Sequence, residues 1–322
     1  LTSLIKDTME EEGCEVQNLC ILALCSSVMN LGLSFSEMLS ILNVDYLRLS
    51  YRESTLLNEL FNINEDEIVI QSSIIAKTLL YSIVAPERVV DVLHKVVLET
   101  DKLYKNDSKY EELLKAVVSH MNFEPMLKDN PANLRYIVKF YNGIRKTDFC
   151  KDNPFYWEQF ASVCIEAKDF VSANQCIESA YSAANKIPHF TPFQITTVHG
   201  ELLLKELLND LLLSCTEVNT DKYLETVTKA NGLLLKYYDH PENNHYHIFG
   251  CAQNFATIYS KMKDKMSTKN FQRFAEVFIE IKNKMMIYQQ SEESYIYPNI
   301  EKWRLNIEKC LEDSKKNLKK KK

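Results

Sequence analysis

Glycine and proline are scarce in this chain of 322 residues, which contains 6 glycines and 8 prolines. Average abundances would give about 22 glycines and about 16 prolines. Because these two residues punctuate loops and turns, their scarcity predicts long helices joined by few turns. It also leaves no glycine-rich phosphate-binding loop in the sequence, since neither Gly-x4-Gly-Lys-Ser/Thr nor Gly-x-Gly-x2-Gly occurs.

Long apolar runs are missing as well. No stretch of about 18 apolar residues occurs, so no membrane-spanning segment is predicted. Residues 1–13 are acidic, unlike a signal peptide.

The nine cysteines include no Cys-x2-Cys pair, which favours reduced thiols and a cytoplasmic protein. The net charge of -6 argues against nucleic acid as a partner.

Hydrophobic residues make up 46% of the chain, and most of them recur at helical spacing. We predict a mainly α protein with four regions: a winged-helix-like unit (1–85), a helical connector (86–150), a helical array (151–312) and a basic, frayed tail (313–322). In the first region, residues 60–63 and 68–70 flank an acidic turn, which predicts a β-hairpin after helices that include one within 45–60. The chain begins with leucine, so we expect it to be a piece of a longer protein.

Capping residues predict several helix boundaries. Ser34, Asn153 and Thr220 are expected to cap helix N-termini, and the leucine-rich run 202–213 is expected to form a buried helix. Pro241 is expected to open a further helix. Gly143 is expected to end one in the left-handed conformation.

Residues 153–186 carry the most informative pattern. Apolar residues recur on one face of each of two predicted helices: Trp157, Phe160, Ala161 and Cys164, then Phe170, Ala173, Ile177 and Ala180. This spacing follows the tetratricopeptide (TPR) template, with Trp157 and Ile177 filling the gap between two antiparallel helices. Because one such hairpin cannot bury its apolar face alone, we predict a TPR-like α-solenoid with an extended surface for a protein partner.

Two groups of residues are predicted to contact that partner. The first lies on the first helix of the hairpin: Phe155, Glu158, Ser162, Ile165 and Glu166. The second lies at a later junction: Tyr237, Tyr238, His240, His245 and Tyr246.

The sequence gives weaker support for a metal site or a catalytic site than for a protein-binding surface. Asp239, His240, Glu242, His245 and His247 crowd one junction. His245 and His247 are two residues apart and would face different sides of a helix, so capping and interhelical hydrogen bonds are favoured over a metal.

No Gly-x-Ser-x-Gly occurs, and Cys164, Cys176 and Cys251 are interpreted as small core residues. The phenylalanines at 271, 274 and 278 are interpreted as core and not as a partner groove. No enzyme activity, cofactor or metal is predicted for these residues.

Several segments resemble the C-terminal helical region of bacterial STAND-type P-loop NTPases, which include antiphage (AVAST-like) defence proteins. They are Arg135-Tyr-Ile-Val-Lys-Phe-Tyr141, Asn153-Pro-Phe-Tyr-Trp-Glu-Gln-Phe-Ala161, residues 173–184, Phe193-Gln-Ile195 and His240-Pro-Glu-Asn-Asn-His-Tyr246. The N-terminal third is similar to the winged helix of that family. Ile75-Ala76 matches its pattern, whereas Gln71-Ser72-Ser73 replaces the basic residues that usually precede it.

The resemblance implies a P-loop core and an effector domain upstream of Leu1. It further implies that the helical region senses a foreign protein, such as a phage structural or packaging protein, and releases the core to act. The alternative is a generic TPR-like scaffold or adaptor unrelated to NTPases.

Overall fold

The computed structural model describes residues 13–45, 61–64, 67–70, 73–123, 125, 130–213, 219–289 and 299–320. The helix predicted within 45–60 and the centre of the predicted acidic turn lie outside these residues. The chain forms two compact units, Leu1–Ala167 and Lys168–Lys322. The division falls inside the predicted helical array, between the two helices of the predicted TPR-like hairpin.

The chain is mainly helical, as the sequence predicts. The elements of the first unit are α1 (Cys14–Met29), α2 (Phe35–Leu42), β1 (Phe61–Asn64), β2 (Glu67–Ile70), α3 (Ser73–Ser82), α4 (Pro86–Thr100), α5 (Ser108–Val118), α6 (Leu134–Ile144), α7 (Asp148–Lys151) and α8 (Pro154–Glu166). Those of the second unit are α9 (Phe170–Ala184), α10 (Phe193–Leu213), α11 (Thr220–Leu235), α12 (His245–Met262), α13 (Thr268–Gln289) and α14 (Asn299–Lys320).

Helix α1 is the centre of the first half of unit 1. All of its residues from Leu19 to Cys25 are buried, because it packs against α2, α3, α4 and β2. The two strands pair antiparallel, with Phe61 opposite Ile70. They lie where the sequence pattern places the hairpin of a winged-helix-like unit, and the winged-helix identity itself stays a prediction.

The second half of unit 1 is built on buried aromatic rings. Helix α6 packs against α4 and α8, and the Tyr141 ring stacks on Phe160 with centroids 5.2 Å apart. Tyr156 is fully buried, and its hydroxyl donates to the Tyr141 carbonyl at 2.6 Å. Its neighbour Trp157 is only half-buried and donates from Nε1 to the Lys151 carbonyl at 3.0 Å. Tyr156 is therefore the deeper of these two neighbouring rings. That Trp157 and Ile177 fill the gap between two antiparallel helices stays a prediction.

Unit 2 is a stack of long helices. Helix α10 packs against α9, α11 and α12, and α13 packs against α11, α12 and α14. The periodic apolar side chains of α13 are all buried, which confirms that they form core: Phe271, Phe274, Phe278, Ile281, Met285 and Tyr288. The alanines that should allow close approach of α9, Ala173 and Ala180, are fully buried. The TPR-like character of this stack stays a prediction.

The C-terminal helix extends further than predicted. Residues 313–320 were expected to form a frayed basic tail, but α14 continues to Lys320. Ser314 is buried, and its Oγ donates to the Phe271 carbonyl at 2.8 Å. This tertiary contact stabilises the helix beyond Leu311. The lysine-rich composition of the segment does not reveal such a contact.

Local capping signals are right at two predicted boundaries. Ser34 forms a capping box with Glu37, and the Asn153 side chain accepts from the Phe155 N–H at 2.9 Å. The cap of α11 is Asn219 and not Thr220, because the Asn219 carboxamide accepts from Lys222 N–H at 3.1 Å.

Two other boundary predictions are wrong. Helix α12 begins at His245 instead of Pro241, because the Asn244 side chain caps it. Gly143 is a regular part of α6 and has no positive φ. Its lack of a side chain instead leaves room for the His94 ring, which a Cβ would meet at 3.2 Å.

Within the part of the chain that the structure describes, none of the helices combines the length and the apolar character needed to cross a bilayer. No disulfide joins the eight cysteines in this part, and Cys164, Cys176 and Cys251 are buried as expected.

Candidate functional site

The first predicted binding group, on α8, is largely internal. Glu158, Ser162 and Ile165 are buried, whereas Phe155 is half-buried and Glu166 is exposed. The Glu158 carboxylate accepts a hydrogen bond from the Gln159 amide at 2.6 Å. The expectation of an open face at positions 158, 162 and 165 is therefore wrong. The physical reason is that α8 packs against α5, α6 and α7 within its own unit.

The second predicted group lies around the loop 236–244, between α11 and α12, and this loop is tied down by its own side chains. The Asn244 side chain accepts from the His247 N–H at 3.0 Å and starts α12. The Asn243 amide donates to the Tyr237 carbonyl at 2.8 Å. His245 Nε2 lies 2.8 Å from the Tyr238 carbonyl oxygen. The predicted capping is thus confirmed at Asn244, and the other two hydrogen bonds lie within the loop and the start of α12.

Three of the five residues in this second group, Tyr238, His245 and Tyr246, mainly make packing contacts inside unit 2. Tyr238 is buried beneath the Lys284 ammonium, which lies 4.2 Å from its ring centroid. The His245 ring packs 4.5 Å from that of Tyr238. The Tyr246 ring packs 4.8 Å from that of Trp303. These contacts fix the start of α12 against its neighbours.

The other two residues, Tyr237 and His240, belong to a larger set of half-exposed rings. His240 stacks on Phe193 with centroids 4.3 Å apart and planes 18° apart. The Tyr181 hydroxyl lies 3.3 Å from His199 Nδ1. We call Tyr181, Phe193, His199, Tyr237 and His240 the aromatic patch. It lies on α9, the first two turns of α10 and the loop before α12, all in unit 2, and three of its members were missed because they come from helices distant in sequence.

Two rings of the aromatic patch, those of Tyr181 and His199, are uncharged near neutral pH. Burial, reinforced by the Lys229 ammonium, lowers the pKa of His199, so its imidazole is uncharged and available to accept from a hydroxyl. Burial raises the pKa of Tyr181 to about 12, with a smaller contribution from Tyr237, so its phenol keeps its proton. Lys236 lies 5.2 Å from the centroid of the Tyr237 ring and supplies a cation at the edge. Neutral rings with a charged rim are typical of the centre of a protein interface.

A separate group of polar side chains joins α10 to α12. Glu201 Oε2 lies 3.1 Å from His247 Nε2, and one ligand atom each from Glu201, His247 and Cys251 lie within 4.8 Å of one another. His245 and His247 do face different sides of α12, as the sequence suggested. His247 and Cys251 are one turn apart on one helix, a spacing visible in the sequence, but Glu201 lies 46 residues away and gives no such signal.

Electrostatics within this group favour a charged imidazole. Desolvation by burial lowers the pKa of His247, but the Cys251 sulfur and the Glu201 carboxylate outweigh it, so the pKa of His247 is raised above its usual range. Burial raises the pKa of the Cys251 thiol, with a further contribution from Glu201. The Glu201 carboxylate lies 3.1 Å from the imidazole and favours its protonated form.

Comparisons of the chain with protein-family models, with curated proteins and with solved structures give no match.

Proposed function

We propose that this chain is a protein-binding regulatory module whose partner docks on the aromatic patch of unit 2. The single observation that carries the proposal is a set of five partly exposed rings on two helices and one loop, in which Phe193 stacks on His240 and Tyr181 packs against His199. Aromatic side chains bury much area at low entropic cost, so they supply the anchors of most protein interfaces. The stacked helices behind them hold the patch rigidly, as helical repeat arrays do for their concave surfaces.

The wider proposal follows from the family resemblance. It makes this chain the TPR-like sensor region of a cytoplasmic STAND NTPase that recognises a phage structural or packaging protein. Partner binding would then release an upstream NTPase core of the same chain. The helices and strand pair of residues 14–82 support this proposal, because a winged-helix-like unit is expected between the core and the sensor.

A binding panel tests the proposal. The purified 322-residue protein is titrated against individually expressed phage structural and packaging proteins, and affinity is measured by biolayer interferometry. We expect at least one partner, with binding weakened by about 2 kcal/mol or more in Tyr237→Ser and in the Phe193→Ser variant. Tyr136→Ser, which removes a half-buried tyrosine of unit 1, is the matched control and should bind like wild type.

Two results would contradict the proposal at different levels. Binding that is equally strong in Tyr237→Ser and Tyr136→Ser would show that the patch is not the docking surface. Absence of any phage partner, combined with an upstream coding sequence that lacks Gly-x4-Gly-Lys-Ser/Thr, would favour the generic scaffold or adaptor over the NTPase sensor.

A further inference from the structure

The group formed by Glu201, His247 and Cys251 has the donors of a transition-metal site. It brings together a carboxylate oxygen, an imidazole nitrogen and a sulfur, one from each residue, within 4.8 Å. Borderline-soft ions such as Zn²⁺ bind this mixture of donors, whereas Mg²⁺ and Ca²⁺ require oxygen atoms. The chemistry of the donor set therefore points to a zinc-type ion.

The geometry is close to what such an ion needs. A tetrahedral Zn²⁺ with bonds of about 2.0–2.3 Å holds its ligand atoms about 3.4–3.6 Å apart. Glu201 Oε2 and His247 Nε2 are already 3.1 Å apart. Movements of about 1 Å would bring the third donor, Cys251 Sγ, into the same shell.

The surroundings also suit a bound cation. Glu201 and His247 are partly shielded, with 20% and 35% of their side-chain surface exposed, and Cys251 is 5% exposed. A thiolate and a carboxylate together neutralise a doubly charged ion, which reduces the cost of placing it below the surface. The partial exposure of Glu201 and His247 gives the ion a path from solvent and leaves its fourth position open to water.

Nucleophilic catalysis by Cys251 explains the same residues less well. The order thiol, imidazole, carboxylate matches a nucleophile with its base and orienting group. Reactive cysteines, however, are partly exposed thiols with a lowered pKa. The Cys251 side chain is buried, and burial raises its pKa.

We infer that Glu201, His247 and Cys251 form a zinc-type site that clamps α10 to α12. This inference stands independently of the proposed partner surface. The ion would replace the His247–Glu201 contact by two metal–ligand bonds and would deprotonate the Cys251 thiol. Because α10 also carries Phe193 and His199, and α12 follows the loop with Tyr237 and His240, the clamp would fix the two sides of the aromatic patch.

Titration of the full chain with Zn²⁺ and Co²⁺ tests the site. The protein, freed of any affinity tag and kept reduced, is dialysed against chelator and then titrated in competition with a chromophoric zinc indicator. We expect saturation at one equivalent of Zn²⁺. With Co²⁺ we expect a thiolate-to-metal charge-transfer band together with tetrahedral d–d bands, and in the zinc protein an X-ray absorption shell with one sulfur at about 2.3 Å and N/O ligands at about 2.0 Å.

Variants assign the ligands. Cys251→Ser should abolish the charge-transfer band, and His247→Gln and Glu201→Gln should each weaken Zn²⁺ binding by more than about 100-fold, the upper end of the loss seen for outer-shell residues. The matched controls in the same unit are Cys310→Ser, His189→Gln and Glu206→Gln, which should bind like wild type. Circular dichroism of each variant checks that it is folded.

The inference would be overturned by a titration of wild type without a step at one equivalent. It would also be overturned by a Co²⁺ spectrum that lacks the thiolate band, or by a band that persists in Cys251→Ser and disappears in Cys310→Ser. The first two outcomes concern wild type alone and do not depend on whether any variant folds.

Discussion

Gly200 of α10 lies so close to Leu234 of α11 that a Cβ at position 200 would stand 2.9 Å from the Leu234 Cγ. The same Cβ would meet the Ala230 carbonyl oxygen at 3.2 Å. Leu234 is fully buried, so its side chain has little room to move aside. The close approach of these two helices therefore depends on the missing side chain at position 200.

Gly200→Ala is expected to destabilise the protein by about 1–3 kcal/mol, because overpacking a close helix contact outweighs the gain in helix propensity. The free energy of unfolding from urea denaturation measures this. Gly232→Ala on α11 is the matched control: nothing lies within 4 Å of its Cβ, so it should stabilise by about 0.5–1 kcal/mol. Shifts of the same sign in both variants would contradict the close-contact explanation.

Asp101, just after α4, caps the short helix α7 from a distance. Its two carboxylate oxygens accept from the N–H groups of Asp148 at 2.9 Å and Phe149 at 2.7 Å. These are first-turn N–H groups that would otherwise lack partners. Asp101→Ala should cost about 1–2 kcal/mol of stability, and Asp101→Asn should cost less because one acceptor oxygen remains.

Thermal or urea unfolding measures the effect of Asp101. The control is Asp91→Ala on the exposed side of α4, which should stay within about 0.5 kcal/mol of wild type. An Asp101→Ala variant as stable as Asp91→Ala would show that water caps α7 equally well.

The features that sequence could predict are those set by neighbouring residues. Ser34 and Asn153 cap helices through N–H groups two or three residues ahead, and the α13 core follows from its period alone. The burial of the Tyr156 ring of α8 is different. It depends on α6, which supplies the Tyr141 carbonyl as a partner for the Tyr156 hydroxyl.

The candidate sites show the same limit. Three of the five residues of the second predicted group pack against neighbouring helices: Tyr238 against Lys284, His245 against Tyr288 and Tyr246 against Trp303. The Glu201–His247 contact joins two helices whose pairing no single-sequence pattern reveals. Tertiary packing decided these cases, and the wider family identity stays a prediction.

Glu37 should make stability depend on pH in the acid range. Burial raises the pKa of this carboxyl, but hydrogen bonds from Lys109 and from Ser34 outweigh burial, so the net pKa is lowered. The Lys109 ammonium lies 2.7 Å from its oxygens, and the Ser34 N–H donates at 2.8 Å. Because the folded pKa lies below the unfolded one, this stabilisation is complete above the unfolded pKa and is lost as pH falls through the folded pKa.

Glu37→Gln should therefore lower stability at pH 7 by about 1 kcal/mol and flatten the decline in stability on acidification. Urea unfolding from pH 7 down to about pH 3 measures both. Glu112→Gln, which removes an exposed carboxylate paired with Lys115, is the control and should leave the pH profile unchanged. A Glu37→Gln profile parallel to that of wild type would contradict the assignment.

Tyr141 and Tyr156 each donate a buried hydrogen bond to a backbone carbonyl of unit 1. The Tyr141 hydroxyl donates to the Val118 carbonyl, and the Tyr156 hydroxyl donates to the Tyr141 carbonyl. Burial raises the pKa of Tyr141 well above its usual range, so its hydroxyl keeps the proton it donates. Tyr141→Phe should keep the stacking on Phe160 but deprive the Val118 carbonyl of this donor, at a cost of about 1–3 kcal/mol.

Tyr156→Phe should cost a similar amount, and the double variant tests whether the two act together. Because the rings are in contact, at 5.8 Å between centroids, we expect a coupling energy of at least about 0.5 kcal/mol. The control is Tyr136→Phe, because the hydroxyl of this half-buried tyrosine accepts from its exposed neighbour Arg135 at 2.8 Å; its loss should change stability by less than about 0.5 kcal/mol. If Tyr141→Phe lowers the free energy of unfolding no more than the control does, then water or a backbone shift supplies a hydrogen bond to the Val118 carbonyl. The Tyr141 hydroxyl would then contribute nothing to holding α5 on α6.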